Sequence, residues 1–110
     1  MAVRMSKPWL PLSAATAKNA GGYLGIYEIQ APDGETVLIG CAGGRSLFGL
    51  GGELERELRA RPEGHRVRYE VNMQYLSRMQ ELLMVHAADH GQLPRDNQGM
   101  RLELGRLRPA

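Results

Sequence analysis

The chain has 110 residues, enough for one hydrophobic core and too few for two. Hydrophobic residues make up 43% and charged residues 24%, ordinary globular values, and the net charge of +2 is compatible with a polyanionic partner without being diagnostic of one. The single cysteine, Cys41, excludes an internal disulfide and a cysteine-based zinc site, and no apolar run reaches membrane-spanning length.

Near the N-terminus, Pro8 and Pro11 interrupt any signal-peptide core, so a cytoplasmic location is expected. Pro8 to Leu12 is extended and apolar, with Trp9 expected at one edge of the core, and Ser13 is placed to cap a short helical turn through Ala17. Leu24–Gln30 and Glu35–Cys41 are runs rich in β-branched residues, and Ala31-Pro32-Asp33-Gly34 between them carries turn chemistry at three successive positions. Together they predict an antiparallel hairpin. Ala42 to Gly52 is glycine-rich, and a short helix is expected from Glu53 to Ala60 with Leu54 and Leu58 on its inner face. Alternation predicts a third strand over His65–Asn72, with Val67, Tyr69 and Val71 on one side and Arg66, Arg68, Glu70 and Asn72 on the other. Ser77 with Gln80 three residues later reads as a capping box, opening a mostly buried helix that runs to His90 and stops at Gly91. Met100 to Leu104 alternates again, as a last strand or a tail. The order gives an α+β fold, a small antiparallel-containing sheet flanked by helices. The expected layout is a lead-in over 1–22, a domain over 23–97 and a C-terminal strand or tail over 98–110.

Gly25 and Gly40 lie inside strand-like runs, where glycine marks either close approach by a partner or a bulge or tight packing contact. Gly25-Ile26-Tyr27, followed after ten residues by Leu38-Ile39-Gly40, resembles the opening hairpin of the GIY-YIG nuclease family. The order of elements from Tyr23 to Asn97 is similar as well. The resemblance implies the family's fold and a DNA-directed chemistry at one divalent metal, Mg²⁺ if catalysis is retained. It places Tyr27 at the first catalytic tyrosine and Asn97, in Pro94-Arg95-Asp96-Asn97, at the terminal asparagine. Leucine at position 38 replaces the second tyrosine, removing a hydroxyl from the reaction centre. In register, the catalytic arginine falls on Glu57 and the metal ligand on Val85. A shifted register brings in Arg56 or Arg59 for the first and Glu81 for the second.

Each candidate has a plainer structural role. Tyr27 suits a half-buried strand, Glu81 suits the first turn after a Ser77 cap, Arg59 suits a helix pair with Glu55, and Asn97 suits an Asx-type turn. Arg45, in the glycine-rich loop, is a candidate phosphate contact beside exposed backbone amides, while the absence of the Walker spacing rules out ATP binding there. His86 and His90 stand i,i+4 but lack a surrounding HExxH. The leading expectation is a GIY-YIG-like protein that binds nucleic acid, DNA ahead of RNA and with no membrane partner, through Gly25, Gly40, Arg45, Arg66 and Arg68, its nuclease chemistry degraded or lost. The alternatives are an active metal-dependent endonuclease using Tyr27, Arg56, Arg59, Asn97 and Glu81, and a protein-interaction scaffold.

Overall fold

Turn chemistry folds the centre of the chain as expected. Gly34 N–H donates to the Ala31 carbonyl at 2.9 Å, Asp33 Oδ1 accepts from the Glu35 N–H at 2.9 Å, and Gly34 takes φ 96°. The structure, a computed structural model, describes residues 4–98. Its elements are β1 (Leu10–Pro11), α1 (Ala14–Ala20), β2 (Gly25–Gln30), β3 (Thr36–Ala42), α2 (Gly49–Ala60), β4 (Arg66–Val71) and α3 (Tyr75–His90), closed by a 3₁₀ turn at Arg95–Asn97. The strands form one antiparallel sheet in the order β1-β4-β2-β3. This is the α+β architecture read from the sequence. The Met100–Leu104 segment lies outside the described residues.

Strand alternation sends the side chains of the central strands to two layers. Tyr27, Ile29 and Val67 pack with Ala17, Ala20, Leu50 and Leu54 under α1 and α2. Ile26 and Ile39 pack on the opposite face with Leu82 and Leu83 of α3. The segment read as a lead-in is built into this core. β1 pairs with β4, Met5 is buried in the α3 layer, and α1 packs on α2, capped by Ser13, whose Oγ accepts from the Thr16 N–H at 3.2 Å.

Three element readings need correction. α2 begins at Gly49, four residues earlier than its pattern suggested, because the glycines bring it against α1: a Cβ at Gly51 would stand 2.7 Å from the Ala17 carbonyl oxygen. α3 begins at Tyr75, so Ser77 lies inside the first turn and caps nothing; Asn72 Oδ1 accepts the Gln74 N–H at 2.8 Å instead. Only Leu82 and Leu83 of α3 are buried, so this helix is less enclosed than its apolar run implied. Its C-terminus falls at Gly91, with φ 79°, as expected.

Candidate functional site

Tyr27 and Gly40 face each other across β2 and β3. The Tyr27 ring lies over the glycine, and a Cβ at Gly40 would stand 2.6 Å from its Cζ and hydroxyl oxygen. Gly25 is closed in the same way by the β4 backbone, since a Cβ there would collide with the Glu70 carbonyl. Both glycines are therefore required by contacts within the chain, and neither opens the hairpin to a partner.

The Tyr27 ring is buried, and its hydroxyl lies near the exposed Arg56 guanidinium on α2. Arg56 is ion-paired with Glu53, whose other oxygen accepts from Ser46 Oγ at 3.0 Å; Ser46 Oγ in turn accepts the Gly43 N–H at 3.2 Å. Burial first, then the charges of Glu57 and Glu53, hold the Tyr27 phenol well above its ordinary value, against the opposing pull of Arg56. The group is a neutral hydroxyl at physiological pH. Burial and Glu53 likewise push the Cys41 thiol up, which keeps it protonated and unreactive.

The other sequence candidates lie elsewhere. Arg59 pairs with Glu55 at 3.7 Å on the exposed face of α2. Glu57, at the in-register arginine position, holds Arg61 at 2.8 Å, and Arg61 holds Asp96 at 2.8 Å. Asn97 is buried at the β3 edge, where Oδ1 accepts the Ile39 N–H at 2.8 Å and Nδ2 donates to the Ile39 carbonyl at 2.9 Å. It acts there as a strand partner in miniature. Arg68 is committed to Glu28 at 2.7 Å and lies 4.4 Å from the centroid of the Trp9 ring. Arg66 is exposed at the far end of β4, opposite Gln30. Arg45 is exposed in the loop between β3 and α2.

Glu81 and Tyr27 sit on opposite faces of the sheet. Tyr27 is opposite Tyr69 and Ile26 is opposite Glu70 across β2 and β4, so Glu70 points to the α3 layer with Ile26. There Glu70 receives Arg78 Nε at 3.0 Å, and Arg78 is also paired with Glu81. Burial opposes the Glu70 charge, but hydrogen bonds from Arg78 and Asn72 outweigh it and hold the carboxyl below its ordinary value. Tyr27 and Glu81 therefore do not fit the single metal that the GIY-YIG resemblance implies. The His86 and His90 rings lie 4.3 Å apart, and among the described residues no group of three or more His, Cys, Asp or Glu side chains is arranged to hold a metal ion.

One end of the molecule carries a feature the sequence pattern did not single out. Leu47 is 87% exposed, Met73 73%, Phe48 72%, Tyr23 64%, Leu76 58% and Val71 54%. They lie in the three segments that meet where Gly25, Ala42 and Val71 align across the sheet. Hydrogen bonds tie those segments together: Leu50 N–H to the Tyr23 carbonyl at 2.8 Å, Asn72 N–H to the Leu24 carbonyl at 3.0 Å, and Gly44 N–H to the Tyr75 hydroxyl at 2.9 Å. The available sequence signal was Leu47-Phe48, an apolar pair inside a glycine run that no amphipathic period demands.

Residues 3–89 match the family model described as "Domain of unknown function (DUF7508)". The chain belongs to the DUF7508 family. No curated protein and no solved structure matches it. The DUF7508 match takes in β1, α1, the hairpin and nearly all of α3, and stops before Asn97. It joins the lead-in and the hairpin in one family unit.

Proposed function

We propose that this DUF7508 domain is a divergent GIY-YIG-like protein that binds nucleic acid without cutting it. The observation carrying this reading is the separation of the resemblance's parts. The hairpin carries Gly25, Tyr27 and Gly40 and brings Tyr27 near Arg56, while Glu81 is paired with Arg78 on the other face and position 38 is leucine. A phosphodiesterase needs its base, its phosphate-balancing cation and its metal carboxylate around one reacting atom. Here a neutral phenol has Arg56, Glu53 and Glu57 near it, but Glu53 is held by Arg56 and Glu57 by Arg61, and no group of three His, Cys, Asp or Glu among the described residues is arranged for a metal, so the chemistry that remains is binding. Lys18 and Arg45, exposed at the loop end without an ion pair among the described residues, are the contacts expected for phosphates.

The test combines cleavage and binding on supercoiled, branched, linear and single-stranded DNA with Mg²⁺ or Mn²⁺. The expected result is no cutting by the folded protein, and binding that weakens as salt rises. Metal-dependent cutting that disappears in both Tyr27→Phe and Glu81→Ala would show instead an active nuclease. Absence of affinity for any nucleic acid at low salt would remove the binding reading.

A further inference from the structure

We infer that the loop end of the sheet takes unpaired nucleobases, with Phe48 and Tyr23 as stacking faces and Lys18 and Arg45 as phosphate contacts; this rests on the nucleic-acid reading above and specifies its ligand as single-stranded. Six large apolar side chains exposed together are far from what folding alone requires, since each would gain by burial. The end is also ordered for contact: the Tyr75 hydroxyl receives the Gly44 N–H, and the Gly43 backbone lies against the Tyr75 ring. Beside Phe48 a surface depression of about 370 Å³ has Gly21, Gly51 and Gly52 in its lining and Lys18 and Glu55 around it. A planar ring laid on Phe48 would meet half-buried glycine backbone there, with Lys18 and the Arg59-paired Glu55 at the rim.

Charge selects the occupant. At this end the acidic side chains are already engaged, Glu53 by Arg56 and Ser46, Glu55 by Arg59, and Glu70 and Glu81 by Arg78. The exposed charges left there without an ion pair among the described residues, Lys18, Arg45 and, beside Val71, Lys7, are all positive. Asp33 and Glu63, acids with no ion pair among the described residues, lie at the opposite end, in the hairpin turn and in the α2–β4 loop that touches it at Pro32. The surface thus presents aromatic and apolar groups with a positive surplus, the combination that suits stacked bases on a phosphate chain. A duplex hides its base faces and offers these side chains little, whereas a single strand exposes every base to stacking.

The experiment is fluorescence anisotropy at low salt with a labelled oligodeoxythymidine and a labelled duplex of mixed sequence, using the full chain and its Phe48→Ser, Phe48→Trp and Arg45→Ala variants. The single strand should bind about tenfold or more tighter than the duplex. Phe48→Ser should weaken it by roughly 5- to 150-fold, the worth of one stacked base, while Phe48→Trp keeps affinity and loses fluorescence on binding. Arg45→Ala should lower the salt slope by about one. Equal affinity for duplex and single strand, unchanged by Phe48→Ser, would overturn this inference and leave nucleic-acid binding standing. No binding to either would overturn both. Sedimentation with phosphatidylglycerol vesicles, without oligonucleotide binding, would assign the apolar end to a lipid surface and overturn it too.

Discussion

Tyr27 is a neutral phenol held among carboxylates, and its proton makes stability depend on alkaline pH. The unfolded chain releases that proton near the ordinary value of 10.0, while the folded chain keeps it to higher pH. Between those values the unfolded state binds fewer protons, so stability is present in full below 10.0 and falls as pH rises above it. Tyr27→Phe should remove this tyrosine's share of the alkaline loss in pH-dependent denaturation, with stability at neutral pH changed by no more than about 1 kcal/mol, since only the approach of the hydroxyl to Arg56 is lost. Phenolate absorbance should show one late-titrating tyrosine that Tyr27→Phe abolishes. The glycine beneath the ring responds to steric crowding instead. Gly40→Ala places a methyl 2.6 Å from the buried ring end and should destabilise by roughly 1–3 kcal/mol in urea unfolding. Combined with Tyr27→Leu, part of that loss should return, because the two sites share one space. That Gly40 had to be glycine was legible in its strand context, but the occupant of the space was not, since the partner side chain comes from the facing strand.

Local signals located the hairpin, and long-range contacts displaced the helix starts. Ala31 to Gly34 contains its own hydrogen bonds, so its residue types sufficed. The start of α3 depends on Tyr75 reaching Gly43 and Gly44, more than thirty positions away along the chain, which no local motif encodes. The Ser77–Gln80 spacing therefore mimics a cap one turn too late. Ser77→Ala should leave thermal stability unchanged or raise it slightly, given alanine's higher helix propensity. Asn72→Ala should lower it by about 1 kcal/mol, the worth of the bond to the Gln74 N–H. The tie between β4 and α3 has its own pH signature. Glu70 titrates below its ordinary 4.5, so the Arg78 contribution is present above 4.5 and lost as pH falls through the folded value. Arg78→Met should destabilise by roughly 1–3 kcal/mol at neutral pH, with the difference from wild type shrinking in acid.

At the scale of the molecule, the sheet is a partition that decides which chemistry can assemble. The GIY-YIG resemblance suggested Tyr27 and, with a shifted register, Glu81 as a pair from their order along the chain. Order along the chain does not report which layer a side chain enters, and the strand register sends one to α2 while the Arg78 network holds the other on the α3 side. This sharpens the meaning of Leu38. Its side chain packs beside the Tyr27 layer, opposite Ile29, so a tyrosine there would add a hydroxyl to the face that already has one. Leu38→Tyr completes the GIY-YIG-like pattern of the hairpin, yet leaves Glu81, the ligand candidate read from the sequence, behind the sheet. The expected outcome is a folded protein, within roughly 1–3 kcal/mol of wild type for the added volume at a half-buried site, with no Mg²⁺-dependent cleavage and unchanged nucleic-acid affinity. Cleavage that appears in Leu38→Tyr and disappears again in Leu38→Tyr with Glu81→Ala would mean that both groups reach one phosphate, and the two-face arrangement would be wrong. Cleavage still absent would agree with the layer arrangement, in which one added hydroxyl does not bring Glu81 to the Tyr27 face.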